Sequence, residues 1–286
     1  MTPNRYRVAA VARALSGVPK GAIDVVETAD PQYAAVKKVL RAHSYPAAAA
    51  LVVANALISY RLTLPGEQYW NEFADFASTR PTPREADDVV RLFEEFLQAS
   101  RGNRRLVPQK LARLRRAKPV LERLLREPER YRDLSILVRD IASTYSGRGT
   151  EKTIVFAAKM LHYLNRAAGV PEEGLYSIPV PIDRRMALLT YTSGLLDDEP
   201  SMIMSRRRDE AIEAWRLVAE KSGIPAVSLD AVVWLPAYRI ERALERGLDY
   251  ARDEYARRLV NYTKGLVRWG AARRIAEEIL HRDISY

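Results

Sequence analysis

Residues 147–183 restrict the fold more than any other stretch of this 286-residue chain. Two glycines, Gly147 and Gly149, open it, and glycine permits the positive φ angles of a sharp turn. A helical pattern then runs from an N-cap at Thr150 to Gly169, without an internal proline or glycine. The first amide groups of a helix have no partner within it, so such a turn suits a phosphate. The stretch predicts two helices joined by a hairpin that can bind an anion.

Three residues of the second predicted helix share one face. Lys152, Phe156 and Lys159 stand at i, i+4 and i+7, so their side chains project in the same direction. A buried helix face is normally apolar. Two lysines flanking a phenylalanine therefore indicate either a solvated edge or a lined pocket, and the spacing alone leaves both open.

A proline-bracketed aspartate closes the stretch. Pro179 and Pro181 force an extended approach to Asp183, after which helical spacing resumes. Asp183 is thus expected at a helix N-cap, where backbone donors hold its carboxylate in the ionised form. Taken alone, it could serve only as a cap. Together with Lys152, it could instead supply chemistry that needs an amine and a carboxylate.

The rest of the chain also reads as helices. No segment shows the period-two alternation of a strand, which predicts an all-α fold. The longest apolar run, residues 47–60, is shorter than the roughly 20 residues that span a bilayer, so we expect a buried core helix and no membrane association. The chain has no cysteine and only three histidines, without metal-ligand spacing. This excludes disulfides, thiolate nucleophiles and Cys-ligated metal centres, and we expect no metal.

Positive charge is concentrated in one segment. Lys and Arg number 46 against 36 acids, a net charge of +10, which favours a polyanionic partner. Between Phe96 and Leu121 there is no acid, and the segment is either a solvated face or a surface that neutralises backbone phosphates. Its cations are Arg101, Arg104, Arg105, Lys110, Arg113, Arg115, Arg116 and Lys118. The basic N-terminus lacks the apolar block of a secretory signal, so we expect a cytoplasmic protein.

The glycine turn, the early lysine and the distant aspartate together resemble the helix-hairpin-helix DNA glycosylases. Two motifs, KTIVFAAKM and IPVPID, resemble one branch in particular, the archaeal 8-oxoguanine DNA glycosylase/lyases (AGOG). The turn is one residue longer before the lysine than in the superfamily pattern, and the interval from lysine to aspartate is long. The resemblance covers the chain from about Pro31 to Trp234.

This resemblance implies a fold and an activity. The expected fold has two helical lobes, residues 46–165 and residues 1–45 with 166–286, in a single glycosylase unit whose active site lies in the cleft between the lobes. The expected enzyme is a monomer that acts on DNA containing 8-oxoguanine and needs no cofactor. It would excise the flipped base through a lysine Schiff base and nick the abasic strand by β-elimination.

The resemblance also assigns roles to residues. Lys152 would be the nucleophile and Asp183 would stabilise positive charge on the sugar. The base would lie between Phe156 and Trp234, and further contacts would come from Gln32, Trp70, Asp230 and Lys159. The hairpin residues that would contact phosphates are Gly147, Arg148, Gly149 and Thr150.

The residues by themselves allow plainer interpretations. Gln32 would be an exposed glutamine of a first helical turn, and Trp70 a core residue. Asp230 and Trp234, on a short helix starting at Ser228, would be an acid near a cap and a core tryptophan. Two other functions stay open: a non-catalytic helix-hairpin-helix DNA-binding module, in which Lys152 only contacts phosphate, and a helical protein that binds RNA or an acidic partner.

Overall fold

The computed structural model describes residues 2–283, and over that range the chain is helical. It forms sixteen α-helices and two short 3-10 helices, and no β-strand occurs within the described range. In chain order the α-helices are α1 (Arg5–Leu15), α2 (Lys20–Thr28), α3 (Pro31–Ala42), α4 (Tyr45–Leu57), α5 (Gly66–Ala77), α6 (Ala86–Ala99), α7 (Val107–Arg126), α8 (Leu134–Tyr145), α9 (Lys152–Ala168), α10 (Arg184–Thr192), α11 (Pro200–Met204), α12 (Arg208–Ser222), α13 (Ala226–Trp234), α14 (Ile240–Leu244), α15 (Leu248–Tyr262) and α16 (Trp269–Ile279). The predicted all-α fold is confirmed. None of the helices within residues 2–283 has the length and hydropathy needed to cross a bilayer.

The helices form two compact units. The central unit comprises Pro31–Ile178, and the terminal unit comprises the residues up to Asp30 together with those from Pro179 onward. These boundaries differ from the expected lobes, 46–165 and 1–45 with 166–286. Helix α3 belongs to the central unit because it packs against α5 and α9.

Helix α4 is the core of the central unit. Every residue from Ala47 to Leu57 is buried, and the helix packs against α7 and α9. Its all-round apolar sequence requires burial on every side. The core helix expected from the long apolar run is therefore confirmed.

The terminal unit joins both ends of the chain. Arg7 on α1 donates from Nε to the carbonyl of Ser193 at 2.8 Å and from Nη2 to the carbonyl of Glu278 at 2.9 Å. In its interior, the buried Trp215 donates its Nε1–H to Thr190 Oγ1 at 2.8 Å. The buried indole thus has the hydrogen-bond partner that its N–H requires.

The basic segment of residues 97–120 is only partly a free cationic surface. Lys110 is fully buried: its Nζ contacts Asn103 Oδ1 and lies 4.8 Å from the ring centroid of Tyr60. Asn103 in turn donates to Tyr69 Oη at 3.0 Å. Lys110 therefore belongs to an internal polar network and not to a phosphate-binding surface, because its ammonium does not reach solvent.

Several other cations of the segment are held by the protein itself. Arg115 and Lys118 pair with acids of α6, and Arg116 donates to the carbonyl of Thr144. Arg105 has no hydrogen-bond or ion-pair partner among the described residues and is exposed. Free positive charge is thus concentrated at the N-terminal end of the segment, before α7 begins.

Replacing Lys110 is expected to change how stability depends on pH. Burial lowers the pKa of Lys110 to about 8, below the value of about 10.4 for an unfolded lysine. Between these values the unfolded chain binds more protons, so the free energy of unfolding rises with pH, by at most about 1.4 kcal/mol per pH unit for one proton. We expect Lys110→Met to remove this rise, measured by urea denaturation from pH 7.5 to 9.5.

The matched control is Lys37→Met, which replaces an exposed lysine of the same unit. It should keep the wild-type dependence on pH. A Lys110→Met protein whose unfolding free energy still parallels that of the wild type across this range would contradict the prediction.

Candidate active site

The predicted hairpin joins α8 to α9. Helix α8 ends at Tyr145, its C-cap Ser146 has a left-handed backbone (φ 54°), and Gly149 follows with φ 85°. A Cβ at Gly149 would lie 3.0 Å from Val138 Cγ1, so a side chain would crowd α8 at this position. Helix α9 starts at Lys152 with Glu151 at the N-cap, one residue later than the N-cap expected at Thr150.

Glu151 explains the later start, because its side chain completes the turn. Its Oε1 accepts from the amide of Arg148 at 2.8 Å, and its Oε2 accepts from the amide of Gly149 at 2.9 Å. Burial raises the pKa of Glu151, but hydrogen bonds from the amides of Arg148, Glu151 and Gly149, together with the positive charge of Arg148, outweigh it and hold the pKa below its ordinary value. Two of the amides expected to bind a phosphate are thus occupied by a carboxylate, and a phosphate must displace it to reach them.

The predicted face of α9 passes from solvent into the protein. Lys152 is exposed, Phe156 is half-buried and Lys159 is buried, with its Nζ 5.6 Å from the ring centroid of Tyr163. Phe156 meets Trp70 edge to face, with ring centroids 5.8 Å apart and planes at 83°. A solvated edge does not describe this face, because two of its three side chains are covered.

Trp70 carries an unsatisfied donor next to Phe156. The side chain is 1% exposed, and its Nε1 has no hydrogen-bond partner among the described residues. Leaving a buried donor unpaired costs about 1–3 kcal/mol, and such groups are rare in folded proteins. The plain interpretation as a core tryptophan accounts for the burial of Trp70 and leaves its N–H unexplained.

Gln32 is buried as well, in the first turn of α3. Its Nε2 lies so close to Gly66 that a Cβ at that glycine would be 3.5 Å away. The plain interpretation of Gln32 as an exposed residue is therefore wrong. Its amide lies within the unit that also holds Trp70 and Phe156.

Arg113 was not singled out by the sequence beyond its place in the basic segment. Its Nη2 donates to Thr153 Oγ1 at 2.8 Å, and its guanidinium lies 4.1 Å from the ring centroid of Tyr145. Arg113 thereby ties α7 to both helices of the hairpin, at the residue next to Lys152. No local pattern distinguishes this arginine from its neighbours in the segment.

In the terminal unit, Asp183 caps α10 and also binds a tryptophan. Its Oδ1 accepts from the amide of Met186 at 2.9 Å, as expected for an N-cap. Its Oδ2 accepts from Trp234 Nε1 at 3.0 Å. The cap interpretation is therefore correct but incomplete, because the second oxygen fixes the carboxylate against the indole.

Arg185 covers one face of Trp234. Its guanidinium carbon lies 3.7 Å from the ring centroid, and its Nη1 donates to the carbonyl of Trp234 at 3.0 Å. Helix α13, which carries Trp234 and the buried Asp230, begins at Ala226, two residues before the expected start. Arg185 was missed because cation–π partners 49 residues apart leave no local signal.

The predicted site residues thus fall into two groups. In the central unit the structure gathers one set around α9, namely Gln32, Trp70, Lys152, Phe156 and Lys159. In the terminal unit it places Asp183 against Trp234, with Asp230 one turn earlier on the same helix. The first group offers an amine, an aromatic face and an unpaired donor, and the second an acid held by two donors and an aromatic ring.

A family model described as N-glycosylase/DNA lyase (AGOG) matches residues 12–272. The chain belongs to this family. A relative from Methanopyrus kandleri named N-glycosylase/DNA lyase is 36% identical over 218 residues, 75% of this chain and 83% of the relative. Another of that name, from Pyrobaculum aerophilum, is 34% identical over 73% of this chain and 78% of its own length.

The fold is also that of a solved family structure. A crystal structure of the 8-oxoguanine DNA glycosylase of Pyrobaculum aerophilum, complexed with 8-oxoguanosine, matches with a TM-score of 0.71 and 27% identity. The match covers 92% of this chain and 97% of that one. The family and the enzyme class expected from the sequence, a bifunctional DNA N-glycosylase and lyase of base-excision repair with DNA as its substrate, are confirmed.

Proposed function

We propose that this glycosylase/lyase excises 8-oxoguanine and cleaves the resulting abasic strand by β-elimination, using Lys152 and Asp183. The choice of 8-oxoguanine as the substrate rests on the buried, unpaired N–H of Trp70 beside Phe156. The complex of the Pyrobaculum aerophilum relative with 8-oxoguanosine supports the same choice.

The chemistry of the base fits this donor. 8-Oxoguanine carries a carbonyl oxygen at C8 and a hydrogen on N7, whereas guanine has a hydrogen at C8 and a bare N7. With O8 placed against Trp70 Nε1, the carbonyl oxygen would accept from the buried N–H, whereas the C8–H of guanine at the same position would leave that N–H unpaired. The buried Gln32 and Asp230 supply further polar groups, for which we propose contacts with the base. Lys159, also buried, would contact the base or an acid.

Stacking would hold the flipped purine. We propose that the base stacks on Phe156 and on the face of Trp234 that Arg185 leaves open. Stacking of a base on an aromatic side chain contributes about 1–3 kcal/mol. This offsets part of the few kcal/mol needed to take a base out of the duplex.

Lys152 would act as the nucleophile. A lysine is protonated at neutral pH, so attack on C1′ needs loss of a proton. Lys152 is exposed in the free chain, so burial does not supply the neutral amine, and we propose proton transfer to Asp183. The nitrogen–C1′ bond then forms as the C1′–N9 bond breaks, and the base leaves with the bonding electrons and takes up a proton.

The covalent intermediate explains the lyase step. The sugar opens and the amine forms a Schiff base, which acidifies the hydrogen on C2′. Removal of that proton expels the 3′ phosphate, and water then releases the lysine. Asp183 regains its negative charge when it passes the proton of Lys152 to the departing base, and it would then stabilise the positive charge of the Schiff base on the sugar. No redox step occurs, and the proposal needs no cofactor.

The hairpin would bind the DNA backbone during these steps. We propose that Gly147, Arg148, Gly149 and Thr150 contact phosphates, with a phosphate replacing the carboxylate of Glu151 on the amides of Arg148 and Gly149.

We propose that the enzyme works as a monomer on DNA in the cytoplasm. Among residues 2–283 no helix carries more than one exposed large apolar side chain, so no helix presents an apolar face for a second copy of the chain, which supports a monomer. The exposed large apolar side chains are those of Tyr6, Leu106, Tyr176, Met204, Tyr238, Leu266 and Trp269.

An oligonucleotide with a single 8-oxoguanine tests the proposal. We expect release of the base, a nick at the lesion and, with borohydride, a covalent protein–DNA adduct. An oligonucleotide with guanine at that position should give none of these. Binding without excision or adduct would favour the non-catalytic DNA-binding module. Equal binding to RNA, DNA and other polyanions would favour the helical protein that binds RNA or an acidic partner.

A further inference from the structure

The turn that joins α15 to α16 has a rigid interior. Thr263 and Val267 are buried, and the amide of Val267 donates to Thr263 Oγ1 at 3.3 Å. The chain reverses through Lys264 and Gly265, whose φ angles of 50° and 79° lie in the left-handed region. The amide of Gly265 donates to the carbonyl of Val260 at 2.8 Å, which closes the end of α15. The residues of the turn are therefore held in fixed positions at the surface.

Positive charge collects at this turn without compensation. The chain has no acid between Glu254 and Glu277. Lys264, Arg268 and Arg274 are exposed in this interval, and none of the three side chains has an ion-pair or hydrogen-bond partner within residues 2–283. The other arginines of α15 and α16 all pair with acids of the same two helices; they are Arg252, Arg257, Arg258 and Arg273. The uncompensated charge is thus a property of the turn and not of the helices.

Two apolar side chains lie among these cations. Leu266 is 50% exposed and Trp269 is 48% exposed. Arg274 extends back to the first turn of α16, because a Cβ at Gly270 would lie 3.7 Å from its Nη1. A nucleic acid backbone presents charged phosphates and sugars side by side, and it therefore suits cations that surround an exposed indole ring. We call this surface the turn patch; it consists of Lys264, Leu266, Arg268, Trp269 and Arg274.

Arg268 is poorly placed for the stability of the free protein. It occupies the N-cap of α16, its side chain makes no capping hydrogen bond, and no acid follows in the first turn of the helix. Asparagine, aspartate, serine and threonine are the preferred N-cap residues, and a cation at this end opposes the helix dipole. Local stability therefore does not account for an arginine at this position, whereas binding to a polyanion does.

The turn begins beside the site residues of the terminal unit. Tyr262, the last residue of α15, packs with Trp234 against the same apolar cluster, which includes Val26 and Ala231. Trp269 follows Tyr262 by seven residues, which span at most about 25 Å, or about seven base pairs of duplex DNA. The turn patch therefore lies within reach of the duplex that flanks a nucleotide bound at Trp234.

We infer that the turn patch is a second DNA-binding surface, at which Lys264, Arg268 and Arg274 neutralise phosphates on one side of the lesion and Trp269 packs against a sugar. The inference goes beyond the proposed function, since it requires DNA as the substrate but neither 8-oxoguanine nor Lys152. A duplex fits the patch better than a second copy of the chain, because a symmetric contact would bring like charges together.

A double substitution by asparagine tests the inference. Asparagine tolerates the left-handed backbone of Lys264 and is a preferred N-cap in place of Arg268, so Lys264→Asn/Arg268→Asn should melt at or above the wild-type temperature. Affinity for an undamaged duplex of about 25 base pairs is measured at salt concentrations from about 50 to 300 mM. Loss of two phosphate contacts should weaken binding about tenfold or more at low salt and make the slope of log affinity against log salt shallower by about 1.8.

The matched control removes the same charges elsewhere in the terminal unit. Arg5→Asn/Lys221→Asn replaces one exposed arginine and one exposed lysine outside the turn patch, and it should keep the wild-type slope. A patch variant whose slope equals that of this control would overturn the inference. A wild-type protein that dimerises with rising concentration, beside a patch variant that stays monomeric and keeps the wild-type slope, would assign the patch to a second copy and overturn the inference as well.

Fluorescence quenching by acrylamide shows whether DNA covers Trp269. Trp70 and Trp215 are buried and Trp234 is half-buried, so Trp269 is the most exposed tryptophan. Addition of the duplex should reduce the quenching of the wild-type protein and should reduce that of Trp269→Phe much less. An equal reduction in both proteins would contradict the contact of the indole with DNA.

The binding measurements need no catalysis, which keeps the turn patch separate from the proposed function. A wild-type protein with the expected salt dependence that leaves 8-oxoguanine in place would refute the proposed function and support the patch. A wild-type protein that excises 8-oxoguanine, together with a patch variant of unchanged DNA affinity, would refute only the patch.

Discussion

Lys152→Gln is expected to abolish base excision, strand cleavage and borohydride trapping, with a loss of excision rate on the order of a thousandfold or more. Glutamine keeps the length and polarity of the side chain but cannot form a Schiff base. Lys152 is exposed at the first position of α9, so its replacement should leave the fold intact. DNA affinity should stay within about a factor of three, since one charge among many is lost.

Lys20→Gln is the matched control. Lys20 is an exposed lysine that opens α2 as Lys152 opens α9, but in the terminal unit and outside both groups of site residues. The Lys20→Gln protein should excise the base, cleave the strand and form the borohydride-trapped adduct at the wild-type rate. A Lys152→Gln enzyme that still nicks lesion DNA normally would show that another amine, or water, attacks the sugar.

Local patterns predicted most of the fold because helices depend on neighbouring residues. The apolar run of α4, the proline at the start of α3 and the cap at Asp183 were all placed from spacing and capping preferences alone. The N-cap of α9 was misplaced by one residue, since Thr150 and Glu151 can both cap a helix. Only the fold of the turn shows that the carboxylate of Glu151 reaches back to two amides.

What the sequence could not predict depends on contacts between distant residues. The bond from Trp234 to Asp183 spans 51 positions, and the contact of Arg113 with Thr153 spans 40. Lys110 was counted among the surface cations because nothing nearby in sequence marks it as buried. Its burial depends on Asn103 and Tyr60 together, and such a network becomes visible only once the helices have packed.

The second large effect is expected from Asp183→Asn, with a fall in excision rate of about a hundredfold or more and a retained fold. Asparagine can still accept from the amide of Met186 through its Oδ1, so the cap on α10 survives. Its NH2 group replaces the oxygen that accepts from Trp234 Nε1, and two donors then face each other. The negative charge proposed to accept the proton of Lys152 is lost altogether.

The expected cost in stability is small by comparison. Losing a hydrogen bond to a charged group lowers the free energy of unfolding by about 1.5–3 kcal/mol at most. For a protein near this size, about 1 kcal/mol corresponds to a shift of roughly 2–4 °C in melting temperature. Asp183→Ala also removes the cap and should lose about 1 kcal/mol more. We expect both variants to lose activity equally while their melting temperatures differ.

Asp133→Asn is the control for replacing an N-cap aspartate by asparagine. Asp133 is the N-cap of α8, where its Oδ1 accepts from the amide of Ser135 at 2.9 Å, and it lies outside the candidate site. This variant should keep wild-type excision. If the rates of Asp183→Asn and Asp183→Ala instead fall in proportion to their melting temperatures, Asp183 is only a structural cap and the proton of Lys152 must have another acceptor.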